Sequence, residues 1–127
     1  MKKIILLAGL FFIIGTCLTG CYKDVIIPPS AQNPNAPPQA TSYKADIQPL
    51  FTAHCALSGC HVSGSEDPDL EAAVSYQNLV NGGFVNTLIP NQSTLYIMIN
   101  GEMEVHIPSA ADRQKIYDWI RTGAIDN

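Results

Sequence analysis

Two cysteines and a histidine form the most reactive group of side chains in the sequence. Cys55 and Cys60 are separated by Ala-Leu-Ser-Gly, and His61 directly follows the second cysteine. The Ser58-Gly59 pair indicates that this segment is a loop. Two thiols and an imidazole at this spacing support three kinds of chemistry: a disulfide, a metal site, or the covalent attachment of a cofactor.

Covalent attachment of haem requires two thiols that add to the two vinyl groups of the porphyrin, and an imidazole that binds its iron. The adjacent pair Cys60-His61 provides the imidazole in the required place. In the usual attachment motif about two residues separate the cysteines, whereas four residues lie between Cys55 and Cys60. Because the vinyl groups are a fixed distance apart, the extra residues must bulge outward, and Gly59 with its small neighbours favours such a bulge.

Two other interpretations of the same residues stay open at this point. A disulfide between Cys55 and Cys60 would close a very short loop, add little stability and leave His61 without a role. A zinc site would need four ligands in closed tetrahedral geometry. His54, Cys55, Cys60 and His61 are four in number, but neighbours in sequence seldom both reach one small ion.

The N-terminus predicts export and lipid attachment. Lys2 and Lys3 precede an apolar run over residues 4–16, which is too short to span a bilayer comfortably and is typical of a signal peptide. The run leads to Leu-Thr-Gly-Cys21, which resembles the lipobox of bacterial lipoproteins. The resemblance implies a signal peptide over residues 1–20 and a diacylglycerol on the thiol of Cys21, a stable membrane anchor when further acyl chains are added. An uncleaved anchor helix and a plain secretory signal are the alternatives.

Charge and cysteine usage limit the partners. Without Lys2 and Lys3, five basic residues face eleven acidic ones, a net charge of about −6 with neutral histidines. This balance argues against nucleic acid and anionic lipid as partners. After removal of Cys17 and lipidation of Cys21, the folded part retains only the two cysteines of the loop. Outside the cytoplasm such neighbours are expected to be bonded to each other or to something else.

The chain divides into the signal peptide, a linker over residues 21–42 and a single domain over residues 43–127. The linker is rich in proline, asparagine and serine and is expected to be extended. The domain is so small that a covalent cross-link, a metal or a cofactor is expected to contribute to its stability. Its apolar spacing predicts a mainly α fold of short helices with long irregular connections.

Helix signals place these elements along the domain. The first predicted helix carries Ile47 and Phe51 and ends near His54. A second helix ends at the pair Gly82-Gly83, and residues 84–92 are expected to be extended. Ser93 is the predicted N-cap of a third helix, over residues 94–100. The last helix begins at Ser109, with Asp112 as the partner in a capping box, carries Ile116, Trp119 and Ile120, and ends at Gly123.

Two stretches resemble the two ends of small bacterial c-type cytochromes. "DIQPLFTAHCALSGCH" is similar to the first helix and attachment site of that family, and "IYDWIRTGAIDN" is similar to its closing helix. The family includes lipoproteins with the four-residue spacing. The resemblance implies a cytochrome c-like helical domain wrapped around one haem c, held by Cys55 and Cys60, with His61 as an iron ligand. It also implies that Trp119 packs in the core on the haem side.

In this family the sixth iron ligand is typically a methionine before the last helix, commonly followed by proline. The candidates here are Met103, His106 and Met98. Met103 is preferred because it lies between two glutamates, in a segment too polar to need a thioether for packing. Met98 lies in an apolar helix and is expected to serve the core, whereas His106 is the alternative ligand. The Met-Pro dipeptide is absent, and Ile107-Pro108 stands in its place.

Two further features lie near the motif. His54 could donate to a haem propionate, but we expect it simply to face solvent. Glu66, Asp67, Asp69 and Glu71 do not match a known calcium loop. We expect a solvated acidic loop that could dock a basic redox partner.

These observations predict a function. Two axial ligands would leave no coordination position for a substrate, so we expect a membrane-anchored monohaem electron carrier with redox partner proteins, not an enzyme. The alternatives are a five-coordinate haem enzyme or gas sensor, and a haem-free, disulfide-closed lipoprotein binding module. The expected location is the bacterial cell envelope, and Tyr22 after the lipidated cysteine favours the outer membrane.

Overall fold

The computed structural model describes residues 33–127. The predicted signal peptide, the lipidation site Cys21 and the linker as far as residue 32 lie outside the described residues. The described part of the chain contains four α-helices: α1 (Gln48–His54), α2 (Ser75–Asn81), α3 (Thr94–Ile99) and α4 (Ala110–Arg121). Residues 33–127 contain no β-strand, so the prediction of a mainly helical domain is confirmed for this part of the chain.

The first helix begins with an unusual turn before its proline. The hydroxyl of Ser42 accepts a hydrogen bond from the backbone N–H of Ala45, and a π-helical turn over Tyr43–Ile47 then leads directly into α1. Pro49 lies in the first turn of α1, where its missing N–H is tolerated. The helix ends at His54, so the next residue, Cys55, is its C-cap.

The last helix follows its sequence signals closely. Ser109 caps α4, its hydroxyl accepting from the backbone N–H of Asp112 at 3.2 Å. The carboxylate of Asp112 pairs with Lys115 at 3.1 Å and not with the backbone N–H of Ser109, so the second bond of the predicted capping box is not formed. Gly123 directly follows the C-cap with a φ of +107°, a conformation that favours glycine. Ile116, Trp119 and Ile120 are fully buried, as the apolar stripe predicts.

The third helix starts at the predicted position, but its expected cap has another partner. The hydroxyl of Ser93 accepts from the backbone N–H of Asn86 at 2.8 Å and makes no capping bond to α3. Residues 84–89 are irregular, and a 3₁₀ turn over Pro90–Gln92 precedes the helix. Buried Ser93 therefore closes this loop onto the base of α3 instead of capping the helix.

The core is an aromatic cluster that joins the two ends of the domain. The ring of Tyr43 lies 5.0 Å from that of Trp119 and 5.2 Å from that of Tyr76, measured between centroids. The backbone N–H of Tyr43 donates to the side-chain oxygen of Asn127 at 2.8 Å, which ties the start of the domain to its last residue. Aliphatic side chains fill the rest of the core, among them Leu79, Ile99, Ile116 and Ile120.

The described end of the predicted linker contacts α4. The backbone N–H and side-chain amide of Gln39 both donate to the carboxylate of Asp118, at 3.0 and 3.1 Å. Asp118 is 1% exposed and is also paired with Arg121 at 2.6 Å. Arg121 donates in turn to the carbonyl of Pro34. A buried carboxylate needs such partners, so Pro34 and Gln39 are tied to α4 although the segment between them is largely exposed.

Among residues 33–127, no helix combines the length and the apolar character needed to cross a bilayer.

The buried phenol of Tyr43 makes stability depend on pH. Burial raises the pKa of Tyr43 from 10.0 to about 12, against a smaller opposing effect of its hydrogen bond to Ser75. Below pH 10 this contribution to stability is complete, because the phenol is protonated in both folded and unfolded chains. As the pH rises from 10 to about 12, the unfolded chain loses its proton first, and the free energy of unfolding should fall by about 2–3 kcal/mol.

Urea titrations of the parent and of Tyr43→Phe over this pH range measure the effect. The variant should lack this part of the fall, so that the difference in unfolding free energy between the two proteins changes by about 2–3 kcal/mol over this range. Curves that stay parallel would contradict the burial of the phenol.

Candidate cofactor site

One cavity of about 510 Å³ gathers the residues that the sequence singled out. This volume lies within the range of cofactor pockets, roughly 300–1,000 Å³. Its wall is mainly apolar and includes Phe51, Leu79, Phe84, Leu95 and Ile99. The end of α1, the loop that follows it, α2, α3 and the loop before α4 all contribute, so the site is assembled from most of the domain.

The attachment loop carries both thiols to this cavity. Cys55 and Cys60 are half-buried, line the cavity and are free thiols in the structure. The residues between them form successive turns, since Leu57 N–H donates to the carbonyl of Cys55 and Cys60 N–H to that of Leu57, at 2.9 and 2.8 Å. Leu57 is exposed, as are Ser58 and Gly59. Leu57 and Ser58 therefore lie outward between the two cysteines, whereas Gly59 is exposed but still borders the cavity.

The environment of the first thiol favours neutral sulfur. Burial, with a smaller effect of the nearby Cys60 thiol in the same direction, raises the pKa of Cys55 to about 11. The uncharged thiol is thus the form present near neutral pH. A thioether is also uncharged, so covalent attachment of a porphyrin is compatible with the burial of this sulfur.

The imidazole of His61 is oriented by a backbone carbonyl. Its Nδ1 lies 3.1 Å from the carbonyl oxygen of Pro68, which can only accept, so Nδ1 carries the proton and donates. The lone pair is then on Nε2, the nitrogen left free to bind a metal. Leu70 N–H donates to the carbonyl of His61 at 2.9 Å and fixes the backbone beside it. The role of Pro68 is not visible in the sequence, because it depends on how the loop folds back.

All three candidates for the sixth ligand line the same cavity. Met103 is half-buried in the loop before α4, and its backbone N–H donates to the carbonyl of Met98 at 2.9 Å. Met98 is half-buried on α3 and contributes to the cavity wall, a location that its assignment to the core did not anticipate. His106 is exposed, and this burial pattern favours a thioether over a second imidazole.

Of the two other residues with a predicted location, His54 lies where expected and Trp119 only partly so. His54 is exposed at the edge of the cavity, as expected of a solvent-facing side chain. Trp119 is buried, but it packs on Tyr43 and Tyr76 and does not line the cavity.

The acidic loop partly serves its own fold. The side chain of Asp69 accepts from the backbone N–H of Glu71, at 2.9 Å, and that of Glu71 from Ser63, at 3.3 Å. Glu66 and Asp67 are exposed and border the cavity. In residues 33–127, no three His, Cys, Asp or Glu side chains form a group that could hold a metal ion, and this includes the four weighed for zinc.

Searches against protein-family models, curated proteins and solved structures found no match to this chain. The resemblance to c-type cytochromes therefore stays a prediction from the two quoted stretches.

The outward turn of the attachment loop depends on Gly59. Its φ is +80°, and no atom lies within 4 Å of the position of an added Cβ. Gly59→Ala should therefore cost only backbone strain, about 1–2 kcal/mol of unfolding free energy. Gly59→Asn should cost less, because asparagine tolerates this conformation.

Urea denaturation of the two variants, with Ser58→Ala as a control in the same exposed turn, measures these costs. A Gly59→Ala protein as stable as the parent would show that the loop has another conformation.

Proposed function

We propose that the chain is a membrane-anchored monohaem c-type cytochrome that carries single electrons in the bacterial cell envelope. One observation carries this proposal. The same cavity is lined by both cysteines, by His61 with its oriented imidazole, and by Met103. A disulfide turn requires no such cavity, and a closed zinc site requires four converging ligands.

The residues present fit a covalent haem. Cys55 and Cys60 would hold it through their sulfurs, and His61 would bind its iron through Nε2. Bound haem would supply a one-electron couple between ferric and ferrous iron. The mainly apolar wall would lower the polarity around the iron, which favours the less charged of its two states. The carbonyl of Pro68 keeps the proton of His61 on Nδ1 and so keeps Nε2 available.

Whether a protein side chain occupies the sixth coordination position of the iron decides between an electron carrier and an enzyme or sensor that binds a small molecule there. Met103 and Met98 both line the cavity, so a thioether from this chain is available. Iron with two protein ligands has no free position for a substrate, which is why we propose a carrier and not an enzyme. The five-coordinate enzyme or gas sensor is the alternative if neither thioether binds.

The remaining parts of the proposal concern location and partners. Lipidation of Cys21 would tether the domain to the membrane, which we propose is the outer membrane. Exposed Glu66 and Asp67 at the edge of the cavity give this side of the domain negative charge, which suits a basic redox partner protein. Nucleic acid is not an expected partner of so acidic a chain.

The test is a mass measurement under denaturing conditions, on protein produced in a host with a c-type cytochrome maturation system. The parent should retain the mass of one haem in denaturant, because two thioethers hold it. Cys60→Ser should lose the covalent mass or retain it through a single, less stable attachment, whereas Ser58→Ala in the same loop should match the parent. A parent protein with no added mass and with Cys55 disulfide-bonded to Cys60 would instead establish the haem-free binding module.

A further inference from the structure

Arg113 is a buried cation that contacts the loop before its own helix at three points. It lies in the first turns of α4 and is 7% exposed. Its Nε donates to the side-chain oxygen of Asn100 at 3.2 Å, and its Nη1 to the carbonyl of Ile107 at 2.6 Å. Its Nη2 pairs with the carboxylate of Glu104 at 3.0 Å. Taking a guanidinium out of water costs several kcal/mol unless such partners satisfy it.

The three contacts are spread along the whole loop over residues 100–107. Asn100 is at its start, Glu104 near its middle and Ile107 at its end. The loop has little packing of its own, since Val105 is 75% exposed and Ile107 is its only fully buried side chain. Its backbone forms consecutive turns, with Glu104 N–H donating to the carbonyl of Gly101 at 3.1 Å. Apart from the burial of Ile107 in the core, Arg113 therefore supplies the polar contacts that hold the loop on α4.

Met103 directly precedes Glu104, the residue that Arg113 holds by charge. A guanidinium is a planar fork with donors in fixed directions, so three acceptors around it define the position of the loop more closely than a single ammonium contact does. Met98 is on α3, before the first contact at Asn100, whereas Met103 lies between the contact at Asn100 and those at Glu104 and Ile107. Loss of the Arg113 contacts is therefore expected to move Met103 more than Met98.

We propose that Arg113 is a positioning residue that holds the loop over residues 100–107 so that the thioether of Met103, rather than Met98 or His106, is the sixth ligand. This inference rests on the proposed function, since it concerns the iron ligand of a bound haem. Arg113 itself does not line the cavity. Its effect passes through Glu104 and the ends of the loop.

The experiment compares Arg113→Lys with Arg121→Lys in the haem-loaded protein. Arg121 is the matched control, because it is on the same helix and pairs with a carboxylate, yet it contacts Asp118 and Pro34 instead of the loop. The first readout is the absorption band that a methionine sulfur gives when it binds ferric iron. The second is the affinity of added imidazole, which competes with the sixth ligand.

Arg113→Lys should weaken the methionine band and tighten imidazole binding about tenfold or more, a change equivalent to about 1.4 kcal/mol. Arg121→Lys should leave both readouts at the parent values. Glu104→Gln, at a side chain that is 52% exposed, keeps an acceptor for Arg113 but removes the charge, and should have the same effect on a smaller scale with less risk to folding. In a Met103→Ala background the band should be absent, and Arg113→Lys should no longer change imidazole affinity.

Amide hydrogen exchange gives a readout that does not use the iron. The backbone N–H groups of Met103 and His106 should exchange faster in Arg113→Lys than in Arg121→Lys. Equal bands, equal imidazole affinities and equal exchange in the two lysine variants would overturn the inference. So would a band that persists in Met103→Ala. A parent protein without covalent haem would instead contradict the proposed function. That result is therefore distinct from a failure of the positioning role of Arg113.

Discussion

The requirement that Cys55, Cys60 and His61 lie on the wall of one cavity is the constraint on which the rest of the structure depends. α1 ends one residue before the first cysteine, the turns between the cysteines extend outward, and the carbonyl of Pro68 fixes the imidazole. A small domain has few side chains with which to fill a cavity of about 510 Å³. The core consists of the aromatic cluster and the aliphatic side chains around it, which leave this cavity open. The proposed cofactor would fill the cavity and add to the core.

α4 connects the parts of the domain that surround this cavity. Its apolar face carries Trp119 into the aromatic cluster. Its polar side chains reach in two directions: Arg113 holds the loop of Met103, and Asp118 holds Gln39 of the linker. The helix therefore contacts both the loop of a candidate iron ligand and the described end of the predicted linker. Pro34 and Gln39 are hydrogen-bonded to α4, although the composition of residues 21–42 predicted an extended linker.

The sequence was sufficient where local rules decide the structure. The cap at Ser109 and the buried stripe of Trp119 on α4 follow from spacing alone, and so does the mainly helical class. It was not sufficient where a side chain has a choice of partners in the folded chain. Ser93 has the position of an N-cap but bonds Asn86. Arg113 lies three residues before Ile116, on the buried face of α4, and this spacing is the feature of the sequence that indicates its burial. Its three partners could not be predicted, because they depend on how the loop over residues 100–107 folds.

The most direct test of the central claim is a crystal structure of the protein matured with haem, with anomalous diffraction recorded at the iron edge. The account predicts one iron site inside the cavity, bound by Nε2 of His61, with continuous density from the porphyrin to the sulfurs of Cys55 and Cys60. The sixth ligand in that map should be the sulfur of Met103. Crystals without an iron signal, in which the two cysteines form a disulfide and side chains close the cavity, would contradict the account.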